Sequence, residues 1–336
     1  MKEFTINHLE AGQRFDKYLA KRLPNASKSF IYKMLRKKNI TLNHKKADGS
    51  EKIISGDLIQ IFFSDETFDK FTGNEEVQKP AVIKTPKIPL EVLYEDADIL
   101  AVNKPSGMLS QKAEKQDYSL VESICDYLLD SGFLTGQDLA TFHPGICNRL
   151  DRNTSGIVVA GKTVKGLQEM TAAFKYRTLH KYYICIVKGA VTKRSRIKGY
   201  LYKEERTNKV TIFSENEATI PKEALPIETE YIPVCSNEAV SLLKVNLITG
   251  RSHQIRAHLA YLGHPLAGDT KYGSSGFNSF FQKNYQIRSQ MLHAYQLDMP
   301  ERSLLITTDI PKEFKNVLQG ENLWRPGIQE DLEALR

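Results

Sequence analysis

The sequence predicts an α+β protein with two domains: a large domain on a mainly antiparallel mixed sheet, and a small basic α+β domain at the N-terminus. The chain has 336 residues, which is more than one hydrophobic core usually supports. With 41% apolar and 26% charged residues, the composition is that of a globular protein and excludes wholesale disorder. Beyond residue 88, segments rich in Val, Ile and Tyr, such as 182–187 and 242–247, are interspersed with a few helical patterns.

Two short helices are predicted near the N-terminus. Within residues 15–19, three apolar side chains share one helical face, and Leu23-Pro24 ends that pattern. Ser27 then offers an N-cap for a second helix. The two helices form the start of the small domain.

The second helix is predicted to have an apolar face and a basic face. Ile31, Met34 and Leu35 share the apolar face, and no acidic residue occurs between Ser27 and Ala47. The candidate phosphate contacts are Lys28, Lys33, Arg36, Lys37 and Lys38. A net charge of +7 favours a polyanionic partner, but a solvated helix face and a phosphate-binding surface both fit these residues.

Short strands are predicted at 40–43 and 58–62, after the two helices. The motifs 14–19 and 27–36, followed by Asn43 and Gly56-Asp57, make the first sixty residues similar to a small RNA-binding module first seen in a small-subunit ribosomal protein. This resemblance implies that the basic face binds RNA.

Residues 64–88 are polar and contain two prolines, which favours a linker. Apolar segments at 89–94 and 99–102 then predict the strands that open the second domain. The predicted domains are 1–65 for the small domain, 66–88 for the linker, 89–326 for the large domain and 327–336 for a C-terminal tail.

The segment 156–163 matches the letters of a nucleotide-binding P-loop, G-x-x-x-x-G-K-[ST]. A P-loop follows a strand and bends its spacer around phosphate groups, whereas Ile157-Val158-Val159 is a β-branched run that favours the strand itself. We therefore predict a strand, a turn and a helix here, and no nucleotide site.

His253 and His258 invite a comparison with metal sites. A spacing of five residues separates them by about 140° around a helix, and no nearby cysteine completes a ligand set. The four cysteines contain no Cys-x-x-Cys pair that would indicate a disulfide framework or a zinc knuckle. We expect core or RNA-contacting histidines and no metal site.

Asp151 lies between Arg149 and Arg152, in a turn-prone segment that leads into the predicted strand at 157–159. The neighbouring cations favour its ionised form, and a position at the mouth of a strand would leave it accessible. Taken alone, the segment fits a surface ion pair in a tight turn better than it fits a catalytic carboxylate.

Four separated segments carry a resemblance to a known family: Asn103–Gly107, Arg149–Gly156, Lys181–Gly189 and Thr249–Arg256. The stretch 262–273 continues the last of them. On these motifs the sequence resembles the RluA-type family of pseudouridine synthases, and more closely its subgroup that modifies large-subunit ribosomal RNA. The resemblance spans nearly the whole chain in the same order.

The resemblance implies that Asp151 is the catalytic residue of a reaction that detaches a uracil from its ribose, turns the ring and rejoins it through carbon. A carboxylate suits this reaction either by attacking the anomeric carbon or by stabilising the cationic sugar, and both routes stay open. The family's active-site tyrosine falls on Tyr183, which would stack on the uracil and assist removal of the ring proton. The basic partner of the aspartate falls on Arg256.

The residues alone are less specific. Tyr183 fits core packing as well as it fits a catalytic role, whereas Arg256 fits an exposed helix arginine better than a catalytic one. The helix that carries Arg256 is expected to have Ser252 as its N-cap and an apolar face of Ile255, Leu259 and Leu262.

The remaining candidate substrate contacts lie in the same segments: Arg149, Arg152, Thr154, Arg251, His253 and Gln254. Arg149 is expected to occupy the space of the extruded base, because a guanidinium group can stack and form hydrogen bonds. Asn148 departs from the family, which usually has His at that position, and this puts substrate detail in question more than the reaction.

The implied partner is RNA, with ribosomal RNA favoured and transfer RNA as an alternative. A non-catalytic RNA-binding assembly factor is a second alternative. The isomerisation is redox-neutral, so no metal or organic cofactor is implied. No apolar stretch predicts a membrane span or a signal peptide, and we expect a cytoplasmic monomer. The sequence leaves open which uridine is modified.

Overall fold

The computed structural model describes residues 1–72 and 89–335, which divide into two compact units. The first unit comprises Met1–Ala101, Gln111–Asn148 and Val159–Ala172; the second comprises Val102–Ser110, Arg149–Val158 and Ala173–Arg336. Helices and sheet occur together in the described residues, which confirms the predicted α+β class. Residues 73–88 of the predicted linker lie outside the described residues, and the predicted domain boundaries stay a prediction.

The N-terminal segment forms a small sheet with three helices. Its elements are β1 (Lys2–Thr5), α1 (Phe15–Arg22), α2 (Lys28–Arg36), β2 (Ile40–Leu42), β3 (Lys45–Lys46), β4 (Leu58–Ile61) and α3 (Asp65–Thr72). The strands pair antiparallel in the order β1-β4-β2-β3. Both predicted helices are present, and β2 and β4 are each one residue shorter than expected. Helix α3 occupies the start of the predicted linker.

The apolar pattern explains the first two helices. Phe15, Tyr18 and Leu19 on α1 have no exposed surface, and the α2 residues that were predicted to be apolar are also buried. At the start of α2, the Ser27 hydroxyl accepts the amide of Phe30 at 3.2 Å, as predicted for an N-cap. The basic side of α2 is left exposed as a result.

The rest of the chain alternates helices and strands. Its elements are β5 (Glu91–Glu95), β6 (Ile99–Lys104), α4 (Leu120–Asp130), β7 (Gly145–Ile146), β8 (Ser155–Gly161), α5 (Val164–Tyr176), β9 (His180–Lys188), β10 (Ser195–Glu204), β11 (Lys209–Phe213), β12 (Leu225–Ser236), β13 (Val240–Leu247), α6 (Gln254–Tyr261), α7 (Ser275–Tyr285), β14 (Leu292–Met299), β15 (Leu304–Thr307), α8 (Lys312–Gly320) and α9 (Ile328–Ala334).

The sheet of the second unit follows the order β11-β10-β12-β13-β9-β14-β8, with β15 paired to β14. Its strands pair antiparallel, except that β14 and β8 are parallel. This confirms the predicted mainly antiparallel mixed sheet. Strand β9 lies between β13 and β14, so the backbone of Tyr183 is held on both sides, by Val245 and Ala294.

Gly156 allows β8 to approach β14. Its φ is +111°, and a Cβ added there would lie 2.2 Å from the carbonyl oxygen of Ala294. No side chain fits this position without moving the β14 backbone. The close approach fixes the start of β8, five residues after Asp151.

The C-terminal helix α9 belongs to a packed part of the second unit. Ile328 and Leu332 on α9 are buried in the core of the second unit. Lys244 on β13 is fully buried, and its ammonium donates to Gln296 Oε1 and to the carbonyl oxygens of Leu332 and Leu335, at 2.5 to 2.7 Å. The buried charge is thereby satisfied by the last helical turn.

The segment that matches a P-loop is a strand followed by a helix, β8 and α5, as predicted. The ammonium of Lys162 contacts Glu95 Oε1 at 2.5 Å and lies 3.8 Å from the centre of the Phe133 ring. Thr163 donates to Asp98 Oδ1 at 2.7 Å. Both side chains are therefore bound within the protein. Among the described residues, no helix has the length and apolarity needed to cross a membrane.

Candidate active site

Asp151 lies in a turn that is fastened to the loop 104–110. The buried Lys104 ammonium donates to the carbonyl oxygens of Arg152, Met108 and Pro105, at 2.9 to 3.0 Å. Burial lowers the pKa of Lys104 to about 8, although the charge of Asp151 opposes this shift. The Ser110 hydroxyl donates to the carbonyl oxygen of Leu150 at 2.8 Å. These bonds leave the backbone around Asp151 little freedom.

A single guanidinium connects two carboxylates. Arg256, the third residue of α6, donates from Nη1 to Asp151 Oδ2 at 2.7 Å. From its other edge it donates through Nε and Nη2 to the two oxygens of Asp269, at 2.7 and 3.0 Å. Asp269 is fully buried, whereas the Asp151 side chain is 28% exposed. The fork of Arg256 is thus oriented from the inside and presents one N–H to the accessible carboxylate.

The charges in this array stabilise one another. Burial by itself would raise the pKa of Asp269, but its bonds to Arg256 and to the amides of Tyr272 and Lys271 hold it below the usual value. Burial would lower the pKa of Arg256, yet Asp269 and Asp151 raise it above the ordinary value. Asp269 and Arg256 therefore both stay ionised at neutral pH.

Tyr183 is a neutral phenol in this site. Its side chain is buried, and burial, followed by the charge of Asp151, raises its pKa well above the ordinary value. The charge of Asp151 therefore influences the Tyr183 hydroxyl. The structure brings the three predicted catalytic residues, Asp151, Tyr183 and Arg256, into one neighbourhood of the second unit.

His253 lies between Asp151 and Tyr272. Its Nε2 is 3.9 Å from Asp151 Oδ2, and its Nδ1 is 2.9 Å from the Tyr272 hydroxyl. That hydroxyl also accepts the Val210 amide at 3.0 Å. Burial lowers the pKa of His253, although Asp151 opposes this shift.

The start of α6 differs from the predicted one. The N-cap is His253 and not Ser252, and His253 has a left-handed backbone with a φ of 54°. Ile255 and Leu259 are buried as expected, but Leu262 is 36% exposed, because the helix ends at Tyr261. Strained backbone of this kind is often found at functional sites.

The predicted substrate contacts fall into two groups. Arg149, Arg152 and Arg251 are exposed, and His253 is partly exposed beside Asp151. Thr154 and Gln254 are each only 2% exposed. Gln254 uses both ends of its amide inside the protein, toward Thr249, Arg251, Glu228 and Thr229. In this structure Thr154 and Gln254 therefore support the turns that carry the other residues.

Asn148 has a structural contact in the first unit. Its side-chain oxygen accepts the amide of Val159 on β8 at 2.9 Å, next to the bond from the Cys147 amide to the Val159 carbonyl oxygen. The carboxamide thereby binds the backbone of β8. The family usually has His at the position of Asn148.

The predicted phosphate contacts lie on the first unit. Lys28, Lys33, Arg36, Lys37 and Lys38 are all exposed. Within the described ranges, none of them forms an ion pair with a carboxylate. A face of unpaired cations suits a polyanion.

No cluster of three or more His, Cys, Asp or Glu residues suited to a metal ion occurs in residues 1–72 and 89–335. His258 is a buried core histidine that shares a hydrogen bond with Thr229 Oγ1 at 3.1 Å. Burial lowers its pKa to about 4, so it is neutral at neutral pH.

Sequence reasoning assigned no role to Asp269, Lys104 or Tyr272, although all three lie in the segments that carry the family resemblance. Their signal was local: Gly268-Asp269, Asn103-Lys104-Pro105 and Tyr272-Gly273 combine a polar residue with turn-forming neighbours. The partner of each is distant in the chain and becomes visible only in the structure.

Comparisons with known proteins identify the family of this chain. A family model described as RNA pseudouridylate synthase matches residues 98–261. The chain is 31% identical to ribosomal large subunit pseudouridine synthase D of Blochmanniella floridana, over 99% of this chain and 96% of that protein. It is 29% identical to ribosomal large subunit pseudouridine synthase C of Pasteurella multocida, over 95% and 93% of the two chains.

A solved structure supports the fold independently. Human RNA pseudouridylate synthase domain containing 4 matches with a TM-score of 0.59 and 20% identity, over 70% of this chain and 94% of that one. The two relatives, which span almost the entire sequence, confirm the family resemblance drawn from the four segments. The chain therefore belongs to the RluA-type family of RNA pseudouridine synthases, which are isomerases.

Proposed function

We propose that the chain isomerises specific uridines of large-subunit ribosomal RNA, with Asp151 as the catalytic carboxylate and with the target uridine extruded from the RNA. The names of its relatives suggest the RNA class. The observation that carries the assignment of Asp151 is the Asp151–Arg256–Asp269 array. Asp151 is the accessible end of this array, and Arg256 and Asp269 are buried.

The array suits work at the anomeric carbon. Arg256 holds Asp151 Oδ2, whereas Oδ1 has no hydrogen-bond partner among the described residues. A carboxylate oxygen oriented in this way can attack C1′ or stabilise the sugar cation as the bond from C1′ to N1 breaks. In the first route the bond from Asp151 to C1′ breaks again when C1′ bonds to C5. The ring then turns, a bond forms from C1′ to C5, and the C5 proton leaves while N1 gains a proton. No atom is gained or lost.

Tyr183 enters this sequence as a neutral phenol, because its raised pKa disfavours the phenolate. Its ring offers a face on which the detached uracil can stack while it turns. Its oxygen can accept the C5 proton only if the hydroxyl passes its own proton on. Tyr183 therefore supports the uracil and relays a proton, and it is not a preformed base.

Extruding a stacked and often paired uridine costs a few kcal/mol, which protein contacts must offset. Arg149 is exposed and lies two residues before Asp151, where its planar guanidinium can fill the vacated stack. The basic face of α2 adds phosphate contacts that hold the RNA without reading its sequence.

Mapping pseudouridine in total RNA tests the proposal. RNA from cells with and without the gene is compared, and the loss is rescued with the wild-type gene but not with Asp151→Asn. We expect the missing pseudouridines to lie in large-subunit ribosomal RNA. Loss confined to transfer RNA would refute the proposed target, and rescue by Asp151→Asn would refute the catalytic assignment.

A further inference from the structure

Lys181 carries a partly buried charge that has no anionic partner among residues 1–72 and 89–335. It is the second residue of β9, and burial, followed by the charge of Arg177, lowers its pKa to about 8. No hydrogen bond or ion pair of its ammonium occurs among the described residues. By contrast, Lys104 and Lys244 in the second unit are fully buried, and the ammonium of each donates hydrogen bonds to three acceptors. Charges are rarely buried unpaired, so Lys181 has the character of a group that awaits a ligand.

The position of Lys181 connects it to the candidate active site. Side chains two residues apart on a strand share one face, so Lys181 lies on the same face as Tyr183, about 7 Å along β9. A Cβ added to Gly250 would be 3.2 Å from the Lys181 ammonium, which places that ammonium against the turn before Arg251 and α6. Lys181 is therefore the neighbour of Tyr183 on this face of β9, next to the ring that we assign to the uracil.

The segment 175–177, which lies four to six residues before Lys181, combines two cations with an exposed aromatic ring. Arg177 follows the last residue of α5 in a left-handed conformation, with a φ of 60°, and is exposed. Tyr176 is 69% exposed, and the ammonium of Lys175 lies 5.2 Å from the centre of its ring. None of these three cations, Lys175, Arg177 and Lys181, pairs with a carboxylate in the described parts of the chain. Basic groups interleaved with an exposed aromatic ring suit single-stranded RNA.

We propose that Lys181 and Arg177 form an anion subsite that binds a backbone phosphate of the RNA strand next to the extruded uridine. This inference rests on the proposed function and deepens it, since it names the group that anchors the strand beside the reacting nucleotide. A phosphate supplies the charge that Lys181 lacks in the free protein. Tyr176, adjacent to Arg177, offers a stacking face to a flanking base.

The test pairs a protein change with an RNA change. The probe is an RNA fragment that the wild-type enzyme modifies, in which each phosphate near the target uridine is replaced in turn by an uncharged methylphosphonate. Binding is measured in the Asp151→Asn background, so that the RNA is not consumed. We expect Lys181→Met to weaken binding roughly tenfold, the usual effect of losing one charge-assisted hydrogen bond. One methylphosphonate should have the same effect and add nothing to Lys181→Met.

Controls separate this role from a structural one. Lys181→Arg should keep most of the affinity, and Lys312→Ala, on exposed α8, should leave the coupling pattern of the wild type unchanged. The thermal midpoint of Lys181→Met should equal or exceed that of the wild type, because an unpaired, partly buried charge is removed. Additive effects at every phosphate, or a lowered midpoint, would overturn the proposal.

Failure of the proposed function looks different. In that case the wild-type enzyme would form no pseudouridine on ribosomal RNA fragments, and the coupling test would be performed on whichever RNA it does modify. The subsite itself fails only through absent coupling or lost stability.

Discussion

The cations of α2 and the cation at the candidate active site are used in opposite ways. Lys33, Arg36 and Lys37 are exposed and have no carboxylate partners in the described residues. Arg256 is buried and forms three hydrogen bonds to two carboxylates. The first arrangement gives contacts that are individually weak and interchangeable, whereas the second fixes one geometry that no other residue can reproduce. Holding a long RNA and performing chemistry on one nucleotide thus require different electrostatics.

The sharpest way to break the comparison is Asp151→Asn. The amide keeps the shape but loses the charge and the nucleophilic oxygen, so we expect turnover to fall by about 10⁴-fold or more. Affinity for RNA should change by less than about threefold, because the α2 face is intact. Single-turnover assays and direct binding measure the two quantities. Turnover close to that of the wild type would remove Asp151 from the mechanism.

Asp269→Asn tests whether the buried end of the array positions the accessible end. Removing one partner of a buried ion pair costs about 3 kcal/mol of folding stability, and we expect turnover to fall by about 100-fold. The Michaelis constant should change much less, since Asp269 cannot contact RNA. Denaturant unfolding and steady-state kinetics at a permissive temperature check both effects. Asp309→Asn, an exposed carboxylate, serves as the control.

His258 sharpens the comparison on the same helix, since it is buried without a carboxylate partner and stays neutral. Its pKa is lowered from 6.5 to about 4 in the folded protein, so the unfolded chain binds more protons between these values. Stability should therefore fall as the pH decreases from 6.5 toward 4, by up to about 3 kcal/mol from this residue. His258→Gln should flatten the dependence when unfolding is measured in urea across this range. The same slope in both proteins would contradict the prediction.

The smallest effect is expected from replacing Lys33, Arg36 and Lys37 together with Ala. RNA binding should weaken, and its logarithmic salt slope should decrease by about 0.7 to 0.9 per lost phosphate contact. The Michaelis constant should rise while the turnover number changes little. Salt titrations and kinetics on one RNA fragment decide the matter. An unchanged slope would mean that the face is merely solvated.

The features that sequence predicts well here are local ones. The Ser27 cap of α2 and the burial of Phe15 on α1 are predictable, because each depends on residues within one or two helical turns. The family motifs likewise predicted the neighbourhood of Asp151 and Arg256. The pair formed by Arg256 and Asp269 was not foreseen, because 13 residues and a change of direction separate them. His253 replaces Ser252 as the N-cap for a similar reason, since its ring is held by Tyr272 from a distant turn.

The two glycines of segment 156–163, which matches the letters of a P-loop, are explained by packing. At Gly156 a Cβ would meet Ala294, and at Gly161 it would lie 2.4 Å from the Leu167 amide nitrogen, so packing excludes larger residues at both. Lys162 and Thr163 are held by Glu95 and Asp98. The packing of this strand and helix is therefore sufficient to explain why these residues match a nucleotide-binding signature. A sequence signature of this kind indicates a function only after the packing requirements of its own fold have been considered.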